Sequence, residues 1–239
     1  MKFLYYDCFA GISGDMNIGA LLHIGVPFEY LSSELKKLNF HHEYEIKANL
    51  GEKMGIHGVK FNVKYDHVQH EHRHMSDIEA LICNSALCEN VKALSLRIFN
   101  RVAAAEAKIH NSTPEDVHFH EVGAVDSIID IVGAAICIDY LKVDKIYSSA
   151  VELGGGFVKC AHGVFPVPAP ATMEIIKNIP ISLGKVMHEA TTPTGAAIIS
   201  EICNEFSLPE SIKVEKVGYG IGGRDVEIPN VLRVMLGSI

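Results

Sequence analysis

The sequence predicts an α/β or α+β fold in which helices pack against a mixed sheet, and two observations support this class. Segments with strand-like alternation and segments with a helical apolar period are intermixed along the whole chain. The 239 residues are 48% hydrophobic and 21% charged, which is typical of a globular protein with a sizeable core. Neither an all-helical nor an all-β protein fits this order of segments.

The first quarter of the chain is predicted to begin with a strand over residues 2–6, a glycine-containing loop, and a helix that starts around Asp15. Proline at the first position predicts a second helix over residues 27–38. Residues 43–50 and 55–65 then alternate like the two strands of a hairpin, with Gly51 in the turn between them.

The rest of the chain is predicted to contain further helices and strands. Ser76 and Glu79 have the spacing of a capping box, which predicts the start of a helix. Three prolines between residues 160 and 171 exclude a regular helix interior and predict an extended loop. The other predicted elements are helices over 89–110, 126–141 and 172–178, a helix capped by residues 191–195, a strand over 145–149, a tight turn at 154–156, and strands over 212–219 and 230–236.

Composition excludes several classes of function. The formal charge of -8 leaves no excess of Lys and Arg for a nucleic-acid backbone. The chain opens without a secretory leader, and its apolar runs are too short for a membrane span. The six cysteines form no CxxC pair, so a thiolate zinc site is not indicated. We therefore expect a cytoplasmic protein that binds neither nucleic acid nor membrane.

A histidine-rich loop between a strand and a helix is the strongest local signal. Residues 66–74 read DHVQHEHRH and place His67, His70, His72 and His74 in one short segment. Neutral imidazole binds Ni, Zn, Cu and Co, and in an extended chain the last three histidines project to one face. Such a loop suits the capture or transfer of metal, and the alternative is a solvated polar loop.

A second constellation lies in the stretch VHFHEVGAVDSIIDIVG. His118 and His120 share a face if their segment is extended, and Glu121 follows them. The i,i+4 spacing places Asp126 and Asp130 on one face of the next predicted helix. This mixed set of nitrogen and oxygen donors suits Ni, Zn, Mn or Fe. The alternative is a helix cap preceded by structural histidines.

The junction between the first strand and helix is a third candidate. Its carboxylates, Asp7 and Asp15, are potential metal ligands, while the backbone N–H groups around Ser13 and Gly14 are available to an anion. The polar loops over residues 159–163, which contain His162, and over 189–195 are second-tier candidates.

Several of these blocks together carry a family resemblance. YYDCFAGISGDM, the histidine-rich loop, VHFHEVGAVDSIIDIVGA, CAHGVFPVPAPAT, EATTPTGAA, VGYGIGGRD and PNVLR occur in this order over essentially the whole chain. They resemble the LarC nickel insertion family. The resemblance implies a nickel chelatase of the lyase class that places nickel into the pyridinium pincer mononucleotide cofactor of lactate racemase, with CTP and Mg or Mn. It also implies the pincer precursor and apo lactate racemase as partners, and we expect a homo-oligomer.

The resemblance also bears on domain organisation. The family's C-terminal, CTP-binding portion would begin about where this chain stops, so residues 1–239 are expected to be the N-terminal metal-handling region without the CTP-binding domain. A sub-boundary is expected near residues 66–75. For the cofactor phosphate, Ser13, Gly14 and Asp15 or the turn at 154–156 are the candidate hosts. A metal-dependent phosphoester hydrolase and a non-catalytic nickel delivery or storage protein are the alternative functions.

Overall fold

The structure is a computed structural model that describes residues 1–65, 73–114, 124–160 and 163–239. The strands are β1 (Lys2–Asp7), β2 (Tyr44–Lys53), β3 (Ile56–Tyr65), β4 (Lys145–Ser148), β5 (Val151–Glu152), β6 (Phe157–Cys160), β7 (Gly163–Pro166), β8 (Ile181–Ser182), β9 (Lys213–Ile221) and β10 (Val231–Ser238). The helices are α1 (Gly14–Ile24), α2 (Phe28–Leu35), α3 (Met75–Cys83), α4 (Glu89–His110), α5 (Val125–Leu141), α6 (Pro170–Ile175) and α7 (Pro193–Ile202), and one 3-10 turn (Lys36–Leu38) follows α2.

The main sheet contains parallel and antiparallel strand pairs. Its order is β2-β3-β9-β10-β1-β4. Strand β1 runs parallel to β4 and antiparallel to β10, while β9 pairs antiparallel with β10. The β2–β3 hairpin joins β9 in parallel through the pair Val59 and Gly220. The predicted mixed sheet with packed helices is confirmed.

Helix α1 lies directly against the sheet because glycines allow a close approach. A Cβ placed on Gly220 of β9 would lie 1.7 Å from the carbonyl oxygen of Met16, and one on Gly19 would lie 2.4 Å from that of Val59. Helix α5 packs on α1, α4 and α7, and most of its residues are buried, as its apolar sequence predicts. These contacts bring the N-termini of α1, α5 and α7 together.

The predicted hairpin turn at Gly51 is wrong. Gly51 lies within β2 and pairs with Gly58, and the chain reverses at Met54 and Gly55 instead. Both of these residues have positive φ, 50° and 81°, as tight hairpin turns of this length require. Of the two glycines in this stretch, Gly55 and not Gly51 forms the turn.

The predicted capping box is displaced by two residues. Helix α3 begins at Met75, and its N-cap is His74, whose backbone N–H donates to Asp77 Oδ2 at 2.9 Å. The box is thus formed by His74 and Asp77, because the backbone is already helical at Ser76. Ser76 and Glu79 are exposed residues within α3.

The proline-rich stretch is more structured than predicted. Strands β6 and β7 form a separate two-stranded sheet over part of it. Helix α6 starts at Pro170, earlier than expected, because proline is well accommodated in a first helical turn. The short strands β5 and β8 were not predicted.

Several other predictions are confirmed. Helix α4 has the predicted bounds, α5 starts one residue earlier than expected, and Thr192 caps α7. The two strands near the end are β9 and β10. None of the described helices has the length and apolar character needed to cross a membrane. The sub-boundary near residues 66–75 stays a prediction.

Candidate metal centre

A cleft with a volume of about 380 Å³ lies where α1, α5 and α7 begin. Its polar groups include four carboxylates: Asp15 on α1, Asp126 and Asp130 on α5, and Glu189 on the loop before α7. Residues 61–63 of β3 and residues 192–194 at the start of α7 also line it. The volume is within the range of pockets that bind small molecules.

Two glycines allow the cleft walls to approach each other. A Cβ placed on Gly14 would lie 2.3 Å from Oδ2 of Asp130. One placed on Gly195 would lie 2.0 Å from the carbonyl oxygen of Ile12. Both distances are far below van der Waals contact, so only glycine fits at these positions. Gly14 brings Asp130 against the first turn of α1, and Gly195 brings the first turn of α7 against the preceding loop.

Asp15 is held by the first turn of its own helix. The hydroxyl of Ser13 donates a hydrogen bond to Oδ1 of Asp15, and the backbone N–H of Met16 also donates to this carboxylate. Burial raises the pKa of Asp15 above its ordinary value, while these hydrogen bonds and the charge of Lys60 act in the opposite direction. Asp15 is thus half-buried, and its hydrogen bonds and the charge of Lys60 offset part of the cost of burying its carboxylate.

Asp126 connects α5 to the sheet. Its Oδ1 accepts a hydrogen bond from the backbone N–H of Ser127 at 2.8 Å. The hydroxyl of Tyr65, the last residue of β3, donates a second hydrogen bond to it. Burial is the main cause that raises the pKa of Tyr65, and the charge of Asp126 adds to it. Asp126 is therefore fixed between β3 and the start of α5.

Asp130 is the carboxylate of the cleft with a buried oxygen, Oδ1, that lacks a hydrogen-bond partner among the described residues. Burial raises the pKa of Asp130 well above its ordinary value, and the neighbouring charges of Asp15 and Asp126 raise it further. Because an unpaired buried charge is costly, this group favours either a proton or a cation.

The structure brings two of the predicted constellations together. Ser13, Gly14 and Asp15 line the same cleft as Asp126 and Asp130, although the sequence suggested separate sites.

The other predicted residues have different placements. Asp7 accepts a hydrogen bond at 2.9 Å from Nε of Arg233 and does not line the cleft. His74 is the N-cap of α3 and is likewise absent from the cleft lining. The predicted ligands outside the described residues are His67, His70, His72, His118, His120, Glu121 and His162.

Sequence reasoning underestimated the contributions of β3 and of the loop before α7. The sequence predicts residues 189–195 as a polar loop of lower priority, yet Glu189 and Thr194 line the cleft. The Thr-Pro pair at the helix start was the available signal for this segment. For Tyr65 there was no local signal, because it ends an ordinary alternating strand.

The described carboxylates do not complete a metal site. In the described ranges, no group of three or more His, Cys, Asp and Glu side chains has an arrangement that would hold a metal ion. Asp15, Asp126 and Asp130 therefore supply part of a ligand set at most, and a bound ion would need further donors.

Comparison with known proteins identifies the family. The model of the family described as "Nickel insertion protein" matches residues 4–238. A relative from Clostridium kluyveri is 57% identical over 100% of this chain and 62% of its own length. Relatives from Clostridium acetobutylicum and Desulfitobacterium hafniense are 55% and 49% identical, again over 100% of this chain, and over 64% and 59% of their own lengths.

All three relatives carry the name "Pyridinium-3,5-bisthiocarboxylic acid mononucleotide nickel insertion protein". The chain spans about three fifths of their length. No solved structure matches it. Since the family model covers almost every residue, the chain belongs to the nickel insertion protein family.

Proposed function

We propose that this chain is the metal-handling part of a protein that inserts nickel into pyridinium-3,5-bisthiocarboxylic acid mononucleotide. Nickel is the cargo of this reaction. Family membership and the names of the relatives support the reaction. The observation that carries the proposed location is the buried Oδ1 of Asp130, which has no hydrogen-bond partner among the described residues and lies near the charges of Asp15 and Asp126.

The proposed nickel site combines oxygen and nitrogen donors. Asp15, Asp126 and Asp130 supply the oxygens, and the histidines of the segment just before α5 supply the nitrogens. Imidazole and carboxylate bind nickel without the strength of several thiolates, so the ion stays available to the sulfur ligands of the cofactor. The proposed additional donors in this segment are His118, His120 and Glu121.

The histidine-rich segment is the proposed capture site. It follows Tyr65 in the sequence, and the Tyr65 hydroxyl donates to Asp126 in the cleft. Nickel collected there would therefore enter the chain next to the acidic cleft. The proposed capture ligands are His67, His70, His72 and His74. Asp7 and His162 are auxiliary candidates, and Asp7 would first have to leave Arg233.

The remaining parts of the proposal concern the whole protein. Residues 1–239 would act with a C-terminal LarC portion that uses CTP with Mg or Mn, which would make the complete protein a chelatase of the lyase class. Its partners would be the pincer precursor and apo lactate racemase. We place this activity in the cytoplasm and in a homo-oligomer.

Nickel binding to the isolated chain tests the location of the site. We expect calorimetric titration to show nickel binding that falls at least about tenfold in Asp130→Asn, because a charged ligand is lost. The double variant His118→Ala/His120→Ala should weaken binding similarly. The matched control is His41→Ala/His42→Ala, which removes two exposed histidines.

Two results would contradict the proposal. Unchanged nickel affinity in both the aspartate and the double-histidine variants would place the metal elsewhere. Metal-dependent hydrolysis of phosphoesters by the isolated chain, lost in Asp126→Ala, would favour a hydrolase instead. X-ray absorption at the nickel edge adds an independent check, since a nitrogen and oxygen shell without several sulfurs is expected.

A further inference from the structure

Three helix N-termini meet at the cleft. Helices α1, α5 and α7 have 11, 17 and 10 residues, and each begins at the cleft wall. The first N–H groups of a helix have no acceptor within it, and each helix end carries roughly half a positive charge. Such an end is a common binding site for phosphate.

Two of these helix ends lack the usual side-chain cap. The N-cap residues Ser13 of α1 and Ala124 of α5 accept no capping hydrogen bond through their side chains. By contrast, Thr192 of α7 accepts one from the backbone N–H of Gly195 at 3.1 Å. The cleft therefore combines helix ends that lack a side-chain cap with the carboxylates described above, which accept only part of the first-turn N–H groups, among them those of Met16 and Ser127.

These two features require different ligands. An anion alone would face the carboxylates, and a cation alone would face the positive helix ends. A cation and an anion bound together satisfy both, and the buried, unpaired Oδ1 of Asp130 marks the place where the cation is needed. The volume of about 380 Å³ is more than ten times the share of one water molecule, roughly 30 Å³, and so exceeds what a lone ion requires.

We infer that the cleft binds the phosphate monoester of a mononucleotide as a metal-bridged pair, with a divalent cation on Asp126 and Asp130 and the phosphate at the N-termini of α1, α5 and α7. The inference rests on the proposed function and deepens it by locating the phosphate of the substrate. It also fixes the order of binding, because the carboxylates repel the phosphate until the cation is present. Metal must therefore enter before the nucleotide.

The test uses nicotinate mononucleotide as a probe and nicotinate riboside as its phosphate-free counterpart. Each is titrated calorimetrically into the chain, first treated with chelator and then loaded with nickel and freed of excess metal. We expect nickel to strengthen mononucleotide binding at least about tenfold, as a charge-assisted contact to phosphate would. Riboside binding should not depend on the metal.

A charge placed at one helix end provides the second measurement. Thr194 is the second residue of α7 and is largely buried against the cleft, so a carboxylate there would suit the positive helix end and compete with phosphate. Thr194→Asp should weaken mononucleotide binding at least about tenfold while nickel still binds. The control Ser76→Asp adds the same charge at the second residue of α3, which does not line the cleft, and should have no effect.

The outcomes separate this inference from the proposed function. Two results would overturn the inference alone, provided that the chain still binds nickel. One is a mononucleotide affinity that is the same with and without metal, and the other is a riboside affinity that equals the mononucleotide affinity. A folded Thr194→Asp that binds the mononucleotide like the unmodified chain would also overturn it. Nickel affinity that is unchanged in both Asp130→Asn and His118→Ala/His120→Ala would contradict the proposed nickel site, and this inference with it. If Thr194→Asp fails to fold, the comparison of mononucleotide with riboside still decides the question.

Discussion

Replacement of Asp130 by asparagine should stabilise the chain in the absence of metal. The substitution keeps the shape of the side chain, removes its charge, and adds N–H donors next to Asp15 and Asp126. A buried polar group without a partner costs roughly 1–3 kcal/mol, and more when it is charged; the substitution leaves an oxygen at this place but removes the charge that burial, Asp15 and Asp126 disfavour. We therefore expect Asp130→Asn to raise the free energy of unfolding by about 1–2 kcal/mol at pH 8. For a domain of this size the melting temperature would rise by about 2–4 °C per kcal/mol.

The gain in the free energy of unfolding from Asp130→Asn should increase as the pH rises. The pKa of Asp130 is raised in the folded state, so its contribution to stability is complete below the ordinary value of 3.8 and is lost as the pH rises through the folded-state value. The difference between the variant and the unmodified chain should therefore be small near pH 4 and grow towards pH 8. Thermal unfolding followed by circular dichroism, with chelator present, measures this difference.

Asp139→Asn is the matched control, because it makes the same change on the same helix. Asp139 pairs with Lys142 at 2.9 Å, so its loss should lower stability slightly, by at most about 1 kcal/mol. Nickel should cancel most of the gain in Asp130→Asn: at one hundred times the dissociation constant of the unmodified chain it would stabilise that chain by about 2.7 kcal/mol, and a variant that binds tenfold more weakly by about 1.4 kcal/mol. An Asp130→Asn chain that is less stable than the unmodified one across the pH range, with chelator present, would refute this reasoning.

Three further predictions concern the packing at Gly195, the hydrogen bond from Tyr65 to Asp126, and the reactivity of the cysteines. Gly195→Ala would place a Cβ 2.0 Å from the carbonyl oxygen of Ile12, so we expect a loss of about 1–3 kcal/mol in chemical denaturation; an unchanged midpoint would contradict it. Tyr65→Phe removes the hydrogen bond to Asp126, which should weaken nickel binding about threefold to tenfold in calorimetry, and equal affinity would argue against a positioning role. Burial raises the pKa of Cys8 to about 12, so iodoacetamide at pH 8 should alkylate the exposed cysteines first, as mass spectrometry of timed samples would show.

Elements with strong local signals were predictable from the sequence. Helix α4 was predicted with correct bounds because its apolar pattern is long and Pro114 follows its end. The β2–β3 turn was misplaced because Gly51 and Gly55 both offer a flexible backbone. Only the cross-strand register shows that Gly51 is paired within the sheet, and register depends on contacts that local sequence does not contain.

The candidate site was predictable in its parts and not in its assembly. The i,i+4 spacing identified Asp126 and Asp130 as neighbours, and the strand–helix junction identified Asp15. Their convergence depends on the sheet order, which brings β3 next to β9, and on the packing of α7 beside α1. These are contacts between parts of the chain that are distant in sequence, so no local motif predicts them. The hydrogen bond from Tyr65 to Asp126 is one such contact.

The position of β10 has a consequence for biosynthesis. This strand is the last of the main sheet in chain order, yet it lies inside the sheet, between β9 and β1. A growing chain therefore holds two unconnected halves of the sheet until residues 231–238 have left the ribosome. We expect a chain halted before Val231 to lack the nickel binding that depends on Asp130, as a binding assay on ribosome-bound chains would show, because the sheet that positions the cleft walls is still incomplete. The last strand of the sheet would thus decide when the cleft forms, although none of its residues lines the cleft.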